Sequence, residues 1–162
     1  MNSRIHIIGC ALATEPDPMA IGDCVEWVRR LGADVISQDD RRAVFVRFDS
    51  NSGQLILFGC RAALARRPPA LRFGYASAVK EGGADGQPRA GERGIAQASD
   101  LAAAALPGQV LLSSQLGSLL EMSEAEPYQR LRSKRVALPD GRSASAYEVE
   151  PLRGASDATR PA

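Results

Sequence analysis

The sequence predicts an α+β fold built on a split β-α-β plan, and three observations predict it. Short runs rich in β-branched residues alternate with segments whose apolar residues recur at helical spacing. The first six such segments run strand, helix, strand, strand, helix, strand, and clusters of Pro, Gly and Asp separate them. At 162 residues, 44% of them hydrophobic, the chain is long enough to bury one core, so residues 1–151 are expected to form a single domain.

The elements follow in order. Arg4 to Leu12 is a compact, Ile-rich run bounded by Thr14-Glu15-Pro16-Asp17-Pro18, which suits a buried first strand. Ile21, Val25 and Val28 then lie at helical spacing, flanked by Trp27 and Leu31, with Gly32 placed to stop the helix. Ala33 to Ser37 and Ala43 to Phe48 flank the polar turn Gln38-Asp39-Asp40-Arg41, a β-hairpin pattern. Asp49, Ser50 and Asn51 are placed to cap a second helix with Leu55, Phe58, Ala62 and Ala63 inward, ended by Arg66-Arg67-Pro68-Pro69. Leu71 to Lys80 is the next strand.

Glu81 to Arg93, Gly-rich and polar, is expected to be a mobile loop. Beyond it, Ile95, Ala98, Leu101, Ala102 and Ala105 mark a small-residue helix stopped by Pro107-Gly108, and Gln109 to Ser113 is a strand. Ser113 or Ser114 caps a further helix with Leu116, Leu119 and Leu120 inward. Lys134 to Leu138 and Ser143 to Val149, joined by Pro139-Asp140-Gly141, form a closing hairpin, and residues 152–162 are expected to be a disordered tail. The predicted architecture is a ferredoxin-like βαββαβ core extended by a helix, a strand, a helix and a C-terminal β-hairpin.

Composition narrows the function classes. Twenty Lys+Arg against nineteen Asp+Glu leave a net charge of +1, so no global field recruits nucleic acid or a membrane surface. The basic run Arg130 to Arg135 lacks interleaved aromatics and reads as a solvated hairpin face. Three widely spaced cysteines, Cys10, Cys24 and Cys60, lack metal or redox spacing and suit a reducing cytoplasm as small core residues. His6, the only histidine, has no catalytic motif beside it and reads as a packed strand residue. Although Ile7-Ile8-Gly9-Cys10 has the form of a lipoprotein cleavage site, the apolar run before it is too short for export, and no run approaches the roughly 18 residues of a membrane span.

Four stretches share a family pattern. "IAQASDL" followed by "LPGQVLLS" resembles the class III nucleotidyl cyclases, whose helix reads V-N-x-A-x-R-L before P-G-Q-I-x-x-S. Leu71 to Ala78 is similar to that family's R-I-G-I-H-T-G strand, the helix before it ends in "CRAALA", and "RVALPDGRSASAYEVEP" is similar to its closing hairpin. The resemblance covers about Gly32 to Pro151. It implies cyclisation of ATP or GTP by attack of the ribose 3′-hydroxyl on the α-phosphate, driven by two divalent ions held by a carboxylate on the first strand and another at the first hairpin. It also implies an Asn and an Arg on the later helix that orient the ribose and stabilise transition-state charge.

This sequence departs from that pattern at each of those positions. Ala96 stands at the Asn position and Asp100 at the Arg position, and Gln97, one residue on, is a weak substitute that breaks the Ala98 and Leu101 matches. The first strand has no carboxylate, so Asp39 and Asp40 in the first turn are the vestigial metal candidates, and a solvated turn explains both. The leading expectation is a catalytically silent cyclase-like module of bacterial type, cytoplasmic, needing no cofactor, and working as a homodimer or with another cyclase-like or signalling protein. The alternative is a divergent cyclase, or half-site of one, that uses Mg or Mn through Asp39 or Asp40. A third class, a ferredoxin-like ligand or nucleic-acid binder, would draw on Arg132 and Lys134.

Overall fold

The computed structural model describes residues 5–50, 54–66, 68–78, 80–82, 88–122 and 129–151. The chain runs β1 (Ile5–Ala13), α1 (Pro18–Arg30), β2 (Asp34–Gln38), β3 (Arg42–Ser50), α2 (Gln54–Ala63) and β4 (Leu71–Ala78). This is the predicted split β-α-β plan. It continues through β5 (Lys80–Gly82), β6 (Pro88–Ala90), α3 (Glu92–Ala104), β7 (Val110–Ser113), α4 (Ser114–Met122), β8 (Gln129–Ala137) and β9 (Ser143–Pro151).

Seven strands form one mixed sheet in the order β2-β3-β1-β4-β7-β9-β8. β1 pairs antiparallel with both β3 and β4, while β7 adds parallel to β4. Strand alternation divides the core in two. Ile7, Ala11, Phe45, Phe73 and Tyr75 face α1, α2 and α4, whereas Ile8, Cys10, Val44, Val46 and Ala76 face α3. Burial of these apolar faces is the main force holding helices to sheet.

Local chemistry sets the boundaries. Asp17 caps α1, accepting from the Ala20 amide at 3.0 Å, with Pro18 at the first helical position. Gly32 takes φ +86° just beyond the C-terminal end of α1, a conformation other residues resist. Ser113 Oγ accepts from the Leu116 amide at 3.2 Å, the predicted cap of α4.

Some expectations change. Asp49 and Ser50 belong to β3 rather than to a helix cap, because pairing with β1 extends to Ser50; Asn51 lies outside the described residues. α2 turns Ile56, Gly59 and Cys60 inward along with Leu55 and Ala63, leaving Phe58 and Ala62 at the margin of the core. Leu119 is 40% exposed, since only Leu116 of its stripe reaches the core; the Leu120 side chain is outside the description. The ends of the expected loop pair as the small ribbon β5-β6, and α3 already begins at Glu92; residues 83–87 and the expected tail lie outside the described residues. The basic run Arg130 to Arg135 falls in the edge strand β8, where Arg132 pairs in register with Glu148 and the Lys134 ammonium lies 3.6 Å from it. Charge on an edge strand discourages further strand pairing.

Candidate functional site

The candidate site is the α3 face of the sheet and the β2-β3 turn beside it. α3 can lie close on β4 because Gly74 has no side chain: a Cβ there would collide with the Ala98 carbonyl and the Ala102 amide. Small residues on both surfaces, Gly74 below and Ala98 and Ala102 above, make that approach possible. The helix then presents Ala96 to solvent, with Gln97 and Asp100 half-buried.

Asp39 and Asp40 both lie exposed in the β2-β3 turn. One Asp39 oxygen, Oδ1, accepts from the backbone amides of Arg41 and Arg42, each at 2.8 Å, and the Asp39 amide donates to the Arg42 carbonyl. These amide hydrogen bonds, with help from the two arginine charges, hold its carboxyl below the usual carboxylate range. The Asp40 carbonyl accepts from the Asp17 amide at 2.7 Å, and the Arg41 carbonyl accepts from the Ala13 amide at 2.7 Å. The turn is thereby pinned to the link between β1 and α1.

The residues present do not fit a two-ion site. On the α3 side, β1 offers Ile8 and Cys10, with Leu12 packed beside them, and none is a carboxylate. Among the described residues, no three His, Cys, Asp or Glu side chains converge in a way that could hold a metal ion. Cys10 is no substitute, because burial pushes its thiol up to about 11, opposed only in part by Ser99 and the charge of Arg42. No side-chain hydrogen bond or ion pair among the described residues joins Asp39 or Asp40 to Gln97 or Asp100.

No protein-family model matches the sequence, and no curated protein sequence matches it. Solved structures do match. The guanylate cyclase domain of RhGC from Catenaria anguillulae, in complex with GTP, superposes with a TM-score of 0.62 at 11% identity, covering 92% of this chain and 97% of that one. The adenylyl cyclase CyaB from P. aeruginosa gives 0.60 at 14% identity over 90% and 93% of the two chains. A non-canonical dimeric guanylyl cyclase domain of the RhoGC fusion protein from the aquatic fungus Blastocladiella emersonii gives 0.57 at 10% identity over 91% and 97%. The chain has the fold of a class III nucleotidyl cyclase catalytic domain. In this cyclase fold the conspicuous helix of the sequence, "GIAQASDLAAAALPG", is the structural clamp on β4.

Two features of the cyclase-fold chain go beyond what its sequence assigned. Asp17 joins the start of α1 to the hairpin and also pairs with Arg66 at 3.0 Å; Asp-Pro ahead of an apolar-periodic stretch is the signal that could have shown it as a helix cap. Trp27, which the sequence leaves open between core and interface, is 53% exposed and stacks on Phe58 beside a groove between α1 and α2. No helix among the described residues is long and apolar enough to cross a membrane.

Proposed function

We propose that this chain is a catalytically silent cyclase-fold domain, working in the cytoplasm as a signalling, dimerisation or regulatory module. The observation that carries this reading is the face that β1 turns to α3: Ile8 and Cys10 stand there without a carboxylate, while the hairpin's Asp39 spends one of its two oxygens on turn amides. Asp100 adds to it. Where the resemblance implies a cation beside developing phosphate charge, a carboxylate repels the substrate, and losing one such preorganised donor already costs roughly 3–4 kcal/mol of transition-state stabilisation. The module needs no cofactor for this role; Mg or Mn belongs only to the alternative of a divergent cyclase or half-site. The Blastocladiella emersonii domain is described both as a non-canonical dimer and as a monomer, which leaves pairing of this chain with itself or with another cyclase-like protein as part of the proposal.

The test is mass-spectrometric detection of cyclic AMP and cyclic GMP after incubating concentrated, demonstrably folded protein with ATP or GTP and manganese. The expected result is no product. Product that disappears in Asp39→Ala or Asp40→Ala would establish the enzyme instead. Sedimentation over a wide concentration range checks self-association, and a strict monomer throughout would remove the homodimer.

A further inference from the structure

A groove of about 640 Å³ opens between α1 and α2, on the opposite side of the sheet from α3, and its volume is in the range that small-molecule sites occupy. Its lining is largely apolar, with Cys24, Ala62 and Leu71 among the contributors. Burial pushes the Cys24 thiol up to about 12, so this thiol is a poor nucleophile. Trp27 and Phe58 form an aromatic layer on the two walls, with ring centroids 6.5 Å apart and planes inclined by 30°.

The charges around this groove are unevenly satisfied. Arg66, which lines the groove, is paired with Asp17 at 3.0 Å. Asp23 and Arg61 also line the groove, yet neither makes a hydrogen bond or ion pair with any described residue, including each other. Asp23 precedes Trp27 by four residues and Arg61 follows Phe58 by three, so on each wall charge and ring lie about one helical turn, ~5.4 Å, apart. The groove therefore offers a carboxylate and a guanidinium, each without a partner among the described residues, beside an aromatic pair. That pattern complements a molecule carrying an ammonium, a carboxylate and a planar ring one short spacer away.

We propose that the groove binds a free aromatic α-amino acid. Its carboxylate meets the fork of Arg61, its ammonium meets Asp23, and its ring packs against Trp27 and Phe58. This site is independent of the silent-cyclase reading, because none of its residues belongs to α3 or to the β2-β3 turn.

Trp27 is the only tryptophan in the chain, so its emission reports on this groove alone. The experiment titrates the protein with phenylalanine, excited where phenylalanine is transparent, and with phenethylamine and 3-phenylpropionate, which each lack one charge. The expected result is a saturable change with phenylalanine and binding about tenfold weaker for each analogue. Arg61→Gln should lower the affinity for phenylalanine to that for phenethylamine, and Asp23→Asn to that for 3-phenylpropionate. Both residues are exposed, so the unfolding midpoint of each variant should match that of the parent. Equal affinity for all three ligands would reduce the groove to an apolar crevice and overturn the proposal. So would the absence of any saturable change, or Trp27 emission that shifts with protein concentration alone, which would mean that a second copy covers the groove.

Discussion

Gly74 of β4 lies directly under the Ala98 carbonyl of α3, with no room for a methyl group between them. Helix and sheet meet there backbone to side-chain-free backbone. Gly74→Ala should therefore destabilise the protein by about 1–3 kcal/mol through overpacking, read as a lower urea midpoint. Gly22→Ala on α1, where an added Cβ meets nothing within 4 Å, should instead stabilise by about 0.5–1 kcal/mol.

Tyr75 is fully buried, and its hydroxyl donates to the Leu55 carbonyl at 2.8 Å. Tyr75→Phe should cost about 1 kcal/mol for the lost hydrogen bond. A Cβ at Gly59 would strike that same hydroxyl, so Gly59→Ala destabilises on its own. Combining the two should cost less than their sum, and additive unfolding energies would show that the hydroxyl is not the point of collision.

The three thiols are buried and free, with their ionisation pushed up by burial from 9.0 to about 11 for Cys10 and about 12 for Cys24 and Cys60. Above the unfolded value the unfolded chain releases protons that the folded chain keeps. Stability from these groups is complete below pH 9 and declines as pH rises towards 12. Denaturant midpoints measured up that alkaline range should fall, and a thiol reagent at pH 8 should label the native protein far more slowly than the unfolded chain.

Asp39 and Asp140 behave in the opposite sense. Each accepts turn amides that hold its carboxyl below the ordinary 3.8, so its contribution is present above that pH and lost as pH falls through the lowered value. Asp39→Asn keeps an acceptor for the two amides but does not titrate. It should flatten the acid limb of the stability profile, and an unchanged limb would remove Asp39 from the account.

Installing Ala96→Asn and Asp100→Arg together should not produce cyclic nucleotide, because β1 would still face α3 with Ile8 and Cys10 and no carboxylate. Detection of product by mass spectrometry would show that α3 alone limits the chemistry.

Much of the fold was legible because burial is periodic. Ile21, Val25 and Val28 on one helix and Ala98, Leu101 and Ala102 on another are the buried faces that the spacing predicts. Leu119 misled because spacing at i and i+3 marks a helix face without saying whether anything lies opposite it. Strand order was less accessible: β9 inserts between β7 and β8, and β7 adds beside β4, through contacts that no local pattern encodes. The turn chemistry of Asp39 was readable from its residue type, whereas exposure of Trp27 depends on the gap between two helices and leaves no mark on either segment alone.

The central place of β1 bears on how the chain is made. During synthesis β1, α1, β2 and β3 emerge before β4, so the nascent sheet ends at β1, with Ile7 to Leu12 presenting one unpaired backbone edge. That edge is apolar on both faces and carries none of the charge that guards β8. Until β4 leaves the ribosome and closes it, the newborn half-domain is at its most vulnerable to pairing with the wrong chain.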